Sequence, residues 1–184
     1  MSASMITKNA LAEALKMLLK EEPFDKISVG NICESCGLSR KSFYYHFKDK
    51  YDLVNWIYHR EFSEITDRRQ VANNWELLKI LCDYFYEHRE FYRKIFMVDG
   101  QNSFSDHFRE IVILVLSPEI EEMFKDEASI DFFINFYVDA FVCAIKRWIG
   151  EKNCMPATAF LKRLKRCLLV TSDRIVQDFS EKKE

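Results

Sequence analysis

The sequence predicts an all-α fold, and three observations carry that expectation. Across 184 residues there are only four Gly and three Pro, too few turn formers for a sheet protein with its many reversals. Apolar residues make up 48% of the chain and charged ones 30%, a balance that suits amphipathic helices. Apolar positions recur at three- and four-residue intervals on both sides of one polar break, the period of an α-helix.

The first helix is expected from Ile6 to Glu21, where Ile6, Ala10, Leu11, Ala14, Leu15, Leu18 and Leu19 share a stripe and Pro23 supplies the stop. Ser28 offers an N-cap oxygen for a short helix from Val29 to Cys36, and Gly37 is the left-handed residue that ends it. Ser39 caps a third helix that Phe47 closes. Asp49 caps a fourth, Lys50 to Arg68, with the stripe Leu53, Val54, Ile57, Tyr58, Phe62 and Ile65. Two capped helices separated only by Gly37, Leu38 and Ser39 are the signature of a helix-turn-helix.

The segment Arg69 to Asn74 is polar and aperiodic, so residues 1–68 are expected to form a small module with its connecting helix and residues 69–184 a larger helical domain. In the second part helices are expected over Trp75–His88, Glu90–Val98, Phe104–Leu116, Pro118–Lys125, Ile130–Ile149 and Pro156–Phe179. Ser103, Ser117 followed by Pro118, and Ser129 read as helix starts.

Bulk properties narrow the function classes. The polar opening Met1–Lys8 does not resemble a secretory signal, and Ile130–Ile149 carries Asp131, Asn135, Asp139, Lys146 and Arg147, so it reads as a buried helix and not a membrane span. A cytoplasmic protein with no membrane contact is expected. The six cysteines, at 33, 36, 82, 143, 154 and 167, lack disulfide-framework spacing. Cys33 and Cys36 form a lone CxxC with no second ligand pair nearby, so no metal is expected there. No glycine-rich phosphate loop, nucleophile elbow or HExxH occurs, and an enzyme is not expected.

Charge is uneven. Residues 1–60 hold nine Lys or Arg against seven Asp or Glu, and the remainder hold eighteen against twenty-two. The bias concentrates between Arg40 and Lys50, where Arg40, Lys41, Lys48 and Lys50 meet the single acid Asp49. On the third helix Phe43 and Phe47, four apart, are expected to turn inward against Ile32, Cys33 and Leu38. Arg40, Lys41, Ser42, Tyr44, Tyr45 and His46 then occupy the rest of its surface. These groups suit DNA: Arg forks onto a guanine edge, while Lys, Ser and Tyr hydroxyls, and a protonated His, donate to phosphate. Ser28 and Lys50 open helices whose free N–H groups attract anions. Taken singly, each residue better suits an ordinary solvated face; taken together, with the glycine turn, both serine caps and the buried aromatic pair, they point to double-stranded DNA.

At this point a resemblance is evident. SVGNICESCGLSRKSFYYHFKDKYDLVNWI is similar to the N-terminal module of TetR/AcrR-family transcription regulators, over residues 6 to about 65. The resemblance implies a three-helix DNA-binding module on a helical ligand-binding and dimerisation domain, acting as a homodimer on a pseudo-palindromic operator. It implies DNA contacts from Ser28, Arg40, Lys41, Ser42, Tyr44, Tyr45, His46 and Lys50, and repression as the commoner outcome. Cys33 and Cys36 fall where that family usually has Ala, and the chain departs from it at Gly30 and at the bulky Lys41. A weaker resemblance, through NWIYHREF and FINFYVDAFVCAIKRWI, is to a Firmicute subgroup of dihydroxyacetone kinase operon regulators.

The C-terminal half is dense in aromatics, among them Trp75, Phe85, Tyr92, Phe108, Phe132, Phe136, Tyr137, Phe141 and Trp148. Such residues build a plain core or line a cavity for a small-molecule effector. Asp131, Asn135 and Asp139 form a polar stripe that either faces solvent or walls a pocket. Ile145, Trp148 and Ile149 on one helix and Phe160, Leu161, Leu164 and Leu168 on the next make apolar faces wide enough to need a partner, which the resemblance supplies as a four-helix dimer interface. Lys162, Arg163, Lys165 and Arg166 suit a solvated face or a second nucleic-acid patch. The rival reading is a ligand-sensing or partner-binding helical protein that has lost specific DNA binding.

Overall fold

A computed structural model describes residues 3–69, 71, 73–98, 103–124 and 129–167. The described secondary structure is helical throughout. In order come α1 (Ala3–Glu21), a single 3-10 turn (Phe24–Lys26), α2 (Val29–Ser35), α3 (Arg40–His46), α4 (Lys50–Arg69), α5 (Asn74–Glu87), α6 (Arg89–Phe96), α7 (Phe104–Met123) and α8 (Ile130–Gly150). A further helical stretch, α9, covers residues 157–167. Leu168 and the expected continuation to Phe179 lie outside the described residues. No described helix is long and apolar enough to cross a membrane.

The sequence's own signals set most helix ends. Ser28 accepts from the Asn31 N–H at 3.1 Å while Asn31 Oδ1 accepts from the Ser28 N–H at 2.9 Å, a reciprocal capping box. Ser39 Oγ accepts from the Ser42 N–H at 3.1 Å, Asn73 Oδ1 from Glu76 N–H at 3.0 Å, and Ser103 Oγ from Asp106 N–H at 3.2 Å. Gly37 has φ 67°, the left-handed conformation. Around it the Leu38 N–H returns to the Cys33 carbonyl at 2.9 Å and the Gly37 N–H to Glu34 at 3.3 Å, which satisfies the last carbonyls of α2.

One expectation is corrected. Ser117–Pro118 does not start a helix: α7 runs unbroken past Pro118. The proline only removes the N–H that would reach the Leu114 carbonyl, and Leu114 lies on the outer face, 77% exposed, where water can take that bond. The Ser117 hydroxyl meanwhile donates to the Ile113 carbonyl at 2.7 Å. Ser129 does precede α8, but its side chain makes no capping bond. The 3-10 turn after Pro23, unforeseen, buries Phe24, whose ring meets Tyr51 of α4 edge-on at 5.2 Å.

One continuous core runs from Leu11, Leu15, Phe43 and Phe47 through Tyr58, Phe85 and Tyr92 to Phe108, Val138, Ile145 and Trp148. α4 is the shared strut, packing on α1 at one end and on α5 and α7 further along. A polar thread crosses this core: Lys16 of α1 pairs with Glu61 of α4, Glu61 accepts from the Tyr84 hydroxyl at 2.9 Å, and Tyr84 meets Tyr92 at 2.7 Å. Burial works against the Lys16 charge, but the hydrogen bond and charge of Glu61 outweigh it and hold the ammonium above its ordinary pKa. α6 acts as a clasp. Its Lys94 donates to the α1 carbonyl of Leu19, and its Arg93 donates to Ile149 at 3.3 Å and to Glu151 at 3.1 Å, so one short helix caps the C-termini of both α1 and α8.

α8 is less buried than its composition suggests. Val138, Phe141, Val142, Ile145, Trp148 and Ile149 face the core, whereas Phe132 and Phe136 stand 66% and 57% exposed. The Asp131–Asn135–Asp139 stripe lies at the surface, where Arg109 of α7 donates to Asp139 at 2.6 Å and to Asn135 at 2.5 Å.

Candidate nucleic-acid interface

α3 is held by its apolar face. Phe43 and Phe47 are buried with rings 5.7 Å apart, and Phe47 meets Trp56 of α4 edge-on at 5.7 Å. Lys8 of α1 sits over both Phe47 and Trp56, at 5.5 and 5.6 Å. Each buried phenylalanine contributes roughly 1.5–3 kcal/mol, so the short helix owes its position to tertiary packing and not to its own length.

The opposite face is open. Tyr45 is 83% exposed and Tyr44 59%. His46 packs its ring edge-on to Tyr45 at 4.8 Å, half-buried. Lys41 is exposed, and Ser42 Oγ meets Ser39 Oγ at 3.1 Å at the start of the helix. Ser28 is exposed at the N-terminus of α2, its hydroxyl 2.5 Å from Asn31 Oδ1. Lys48, which drew no assignment beyond its charge, is also exposed.

Arg40 and Lys50 are placed by contacts the sequence did not announce. A Cβ built on Gly30 would lie 2.6 Å from Arg40 Nη2. The departure at Gly30 therefore has a physical reason: the guanidinium lies across the bare backbone of α2, at the rim of a shallow groove that includes Ser28, Asn31, Glu34 and Leu38. Lys50 turns away from the α3 face. Its Nζ donates to the carbonyls of Phe24 and Ile27, both at 2.7 Å, with Asp25 at 3.4 Å, and rests 4.5 Å from the Phe24 ring centroid. Burial lowers its pKa, against the opposing charge of Asp25. All three ammonium donors are thus spent on the 3-10 turn, and no phosphate is needed to satisfy them.

The CxxC is packing material. Cys33 is buried and Cys36 half-buried, and the Cys36 thiol donates to the Ile32 carbonyl at 3.3 Å. Burial raises both thiol pKa values, which favours the protonated, weakly nucleophilic form of each.

Behind the interface, α4, α5, α7, α8 and α9 enclose a cavity of about 360 Å³. Tyr58 and Phe62 of α4, Leu78 and Leu81 of α5, Phe108 and Val112 of α7, and Tyr137 and Phe141 of α8 are among its walls. Asn73, Asn74 and Glu119 form an exposed polar rim in which Asn74 donates to Glu119 at 2.8 Å. The aromatics thus divide between roles: Phe85, Tyr92 and Phe96 are core, Phe108, Tyr137 and Phe141 wall the cavity, and Phe132 and Phe136 face outward. Lys165 of the basic α9 run stacks over Trp75 at the rim, 4.7 Å from the ring centroid.

With this geometry in place, likeness to known proteins becomes decisive. Residues 11–57 match the model described as bacterial regulatory proteins of the tetR family, and residues 73–169 match a transcriptional regulator C-terminal region. The chain belongs to the TetR family of bacterial transcription regulators. The HTH-type dhaKLM operon transcriptional activator DhaS of Lactococcus lactis is 31% identical over 156 residues, covering 80% of this chain and 81% of that protein. An HTH-type transcriptional regulator of Staphylococcus aureus is 28% identical over 85 residues, 44% of this chain and 46% of the other. Among solved structures, a TetR transcriptional regulator from Streptococcus agalactiae superposes with TM-score 0.68 at 22% identity, covering 87% of this chain and 92% of that one. The structure of the dihydroxyacetone kinase operon activator DhaS gives 0.59 at 20%, over 92% and 97%. These two likenesses show the fold: an all-α protein with a helix-turn-helix and a larger helical domain. The families and relatives matched are DNA-binding transcriptional regulators and not enzymes.

Proposed function

We propose that this TetR-family regulator works as a cytoplasmic homodimer that reads a pseudo-palindromic operator and releases or re-seats it when a small molecule occupies the cavity. Residues 1–68 act as the DNA-binding unit and residues 69–184 as the sensing and dimerising unit. The observation that carries the reading is α3 itself, with Phe43 and Phe47 buried and Tyr44, Tyr45 and Lys41 on the open side. Tyr44, Tyr45, His46 and Ser28 position the phosphate backbone, while Arg40, Lys41 and Ser42, at the start of the helix, address bases. Lys50 is assigned to positioning: it ties α4 to the 3-10 turn and so fixes the cap of α2 that Ser28 provides.

A helix of seven residues carrying two cations holds DNA weakly alone. A second copy, placed through α8 and α9, would set two recognition helices about 34 Å apart, one turn of the duplex. Occupancy of the operator by such a dimer blocks a promoter that overlaps it, which makes repression the primary reading. Activation is the second, favoured by the activator DhaS at 31% identity.

Selection from random duplexes at roughly 100 mM salt tests the DNA reading, with a pseudo-palindrome expected whose binding weakens steeply as salt rises. Failure to enrich any sequence overturns it. A reporter driven from the selected site, with and without the protein, decides the sign of regulation.

A further inference from the structure

We propose that the DNA backbone passing the C-terminal end of α3 is gripped by Lys48 and Lys8, two cations outside the contact set the resemblance implies. Lys50 and the N-terminus of α4 take no part in holding it. The inference rests on the reading of α3 as the recognition helix and names further residues of that interface.

The far end of α3 lacks a charge of its own. Tyr45 and His46 close the helix, and neither carries a permanent positive charge to set against a phosphate. The resemblance gives that role to Lys50, and the start of α4 offers its free N–H groups. Both are already taken. The Lys50 ammonium is bound to the carbonyls of Phe24 and Ile27. Asp49 Oδ1 accepts from the N–H groups of Tyr51 at 2.8 Å and Asp52 at 2.9 Å, and Asp52 Oδ2 accepts from the Lys48 N–H at 2.9 Å. Two carboxylates of the chain itself thus fill the place an anion would enter, and a phosphate there would meet like charge.

Lys48 is placed differently. Phe47 has extended backbone, φ −139° and ψ 140°, and its side chain is buried. Successive side chains on extended backbone leave on opposite sides. The Lys48 side chain is therefore thrown away from the core, to the side on which α3 exposes Tyr44 and Tyr45. Its N–H is pinned by Asp52 while its side chain stays exposed, and among the described residues its ammonium has no ion pair or hydrogen bond.

Lys8 reaches the same end of α3 from α1. Its Nζ stands 5.5 Å from the Phe47 ring centroid and 5.6 Å from that of Trp56, with no carboxylate partner among the described residues. The rings attract the cation without using its N–H donors, so the ammonium is held in place and its three donors stay uncommitted. Other cations of the module are spent on acids: Lys16 on Glu13 and Glu61, Arg60 on Glu64. Phe47 is thus bracketed by two unneutralised ammonium groups, one on the next residue and one over its ring.

Fluorescence anisotropy of the full-length protein on a random-sequence duplex, between about 50 and 200 mM salt, tests the proposal, because log K falls with log salt by about 0.9 per phosphate neutralised. Lys48→Gln and Lys8→Gln are each expected to flatten that slope by about 0.9 for every subunit bound. Lys48→Gln should leave Tm unchanged, since its ammonium bonds to no other group. Lys8→Arg, which keeps both the charge and the ring contact, should retain the wild-type slope, and so should Lys50→Met. Lys20→Gln removes the same charge from an exposed position roughly 18 Å along α1 from Lys8, beyond the screening length of about 10 Å at 0.1 M salt, and should retain it too. An unchanged slope in Lys48→Gln or Lys8→Gln, a flattened one in Lys8→Arg or Lys50→Met, or an equal flattening in Lys20→Gln each overturns the proposal. Wild-type protein that binds no duplex sinks the recognition-helix reading along with it. Wild-type binding that Lys48→Gln leaves unaltered sinks this proposal and lets that reading stand.

Discussion

At the scale of single residues, Arg40 and Gly30 form a unit that neither residue's chemistry foretells. The guanidinium occupies the space a Cβ at position 30 would need, 2.6 Å from Nη2. Because that atom is the far end of a flexible side chain, Gly30→Ala displaces it cheaply, and the helix gains roughly 0.5–1 kcal/mol from losing an interior glycine. Gly30→Ala is therefore expected to hold or raise Tm while changing the operator preference at the one or two bases Arg40 addresses, read by repeating the duplex selection with the variant. A fall in Tm, or an unaltered preference, removes Arg40 from base readout in this conformation. Lys50 gives the opposite pattern. Lys50→Met removes the ammonium donor from the carbonyls of Phe24, which keeps the Ile27 N–H at 3.2 Å, and of Ile27, a loss of about 1–3 kcal/mol for a buried group left unpaired. It should lower Tm and weaken binding to specific and random duplexes alike. If Tm were unchanged while the salt dependence of binding became shallower, Lys50 would be a phosphate contact after all.

Elements show what the sequence could and could not reveal. Helix starts at Ser28, Ser39 and Ser103 were legible because the cap oxygen and the N–H that donates to it lie three residues apart, within reach of a local pattern. The inward turn of Phe43 and Phe47 was legible from the helical period, and with it the outward turn of Tyr44 and Tyr45. Bonds between distant residues were not. Lys94 reaches α1 across 75 residues and Lys50 reaches the 3-10 turn across 23 to 26, and in sequence both are ordinary cations. Nor could spacing separate Phe85 in the core from Phe108 on the cavity wall, since both recur at helical intervals.

The contact between α4 and α7 is of this unreadable kind. His59 and His107 meet Nε2 to Nε2 at 2.7 Å, a bond that needs at least one neutral ring. Burial and the neighbouring His59 lower the His107 pKa below the ordinary 6.5, against Glu110 and Asp52, which raise it. The folded state therefore binds fewer protons than the unfolded chain once pH falls below about 6.5, and the stability this contact contributes is present above that value and lost beneath it. Tm is expected to drop between pH 7.5 and 5, and His107→Gln should flatten that limb. Parallel profiles for the two proteins would place the acid sensitivity elsewhere.

At the scale of the whole molecule, the distribution of apolar surface points to an assembly larger than one chain. Phe132 and Phe136, stacked at 19° with centroids 6.3 Å apart, stand exposed on α8. The same face continues through Ala140 and Cys143 into a groove between α8 and α9 lined by Ala144, Met155 and Phe160. A monomer would leave this stripe in water, and an isologous pairing of α8 and α9 would cover it with its own copy. The consequence reaches the DNA, because the charge on one α3 is too small to hold an operator without a second half-site. Phe136→Glu puts a carboxylate into the middle of the stripe while leaving the core side of α8 intact. It is expected to convert the protein to a monomer by light scattering after gel filtration, with its helical circular dichroism retained. Operator affinity should fall at least 100-fold, because each half-site then binds alone and the gain from linking two modules, about 10²–10⁴ in favourable geometry, is lost. A variant that remains dimeric would move the interface off this face. One that becomes monomeric yet binds the operator as before would instead detach DNA recognition from dimerisation.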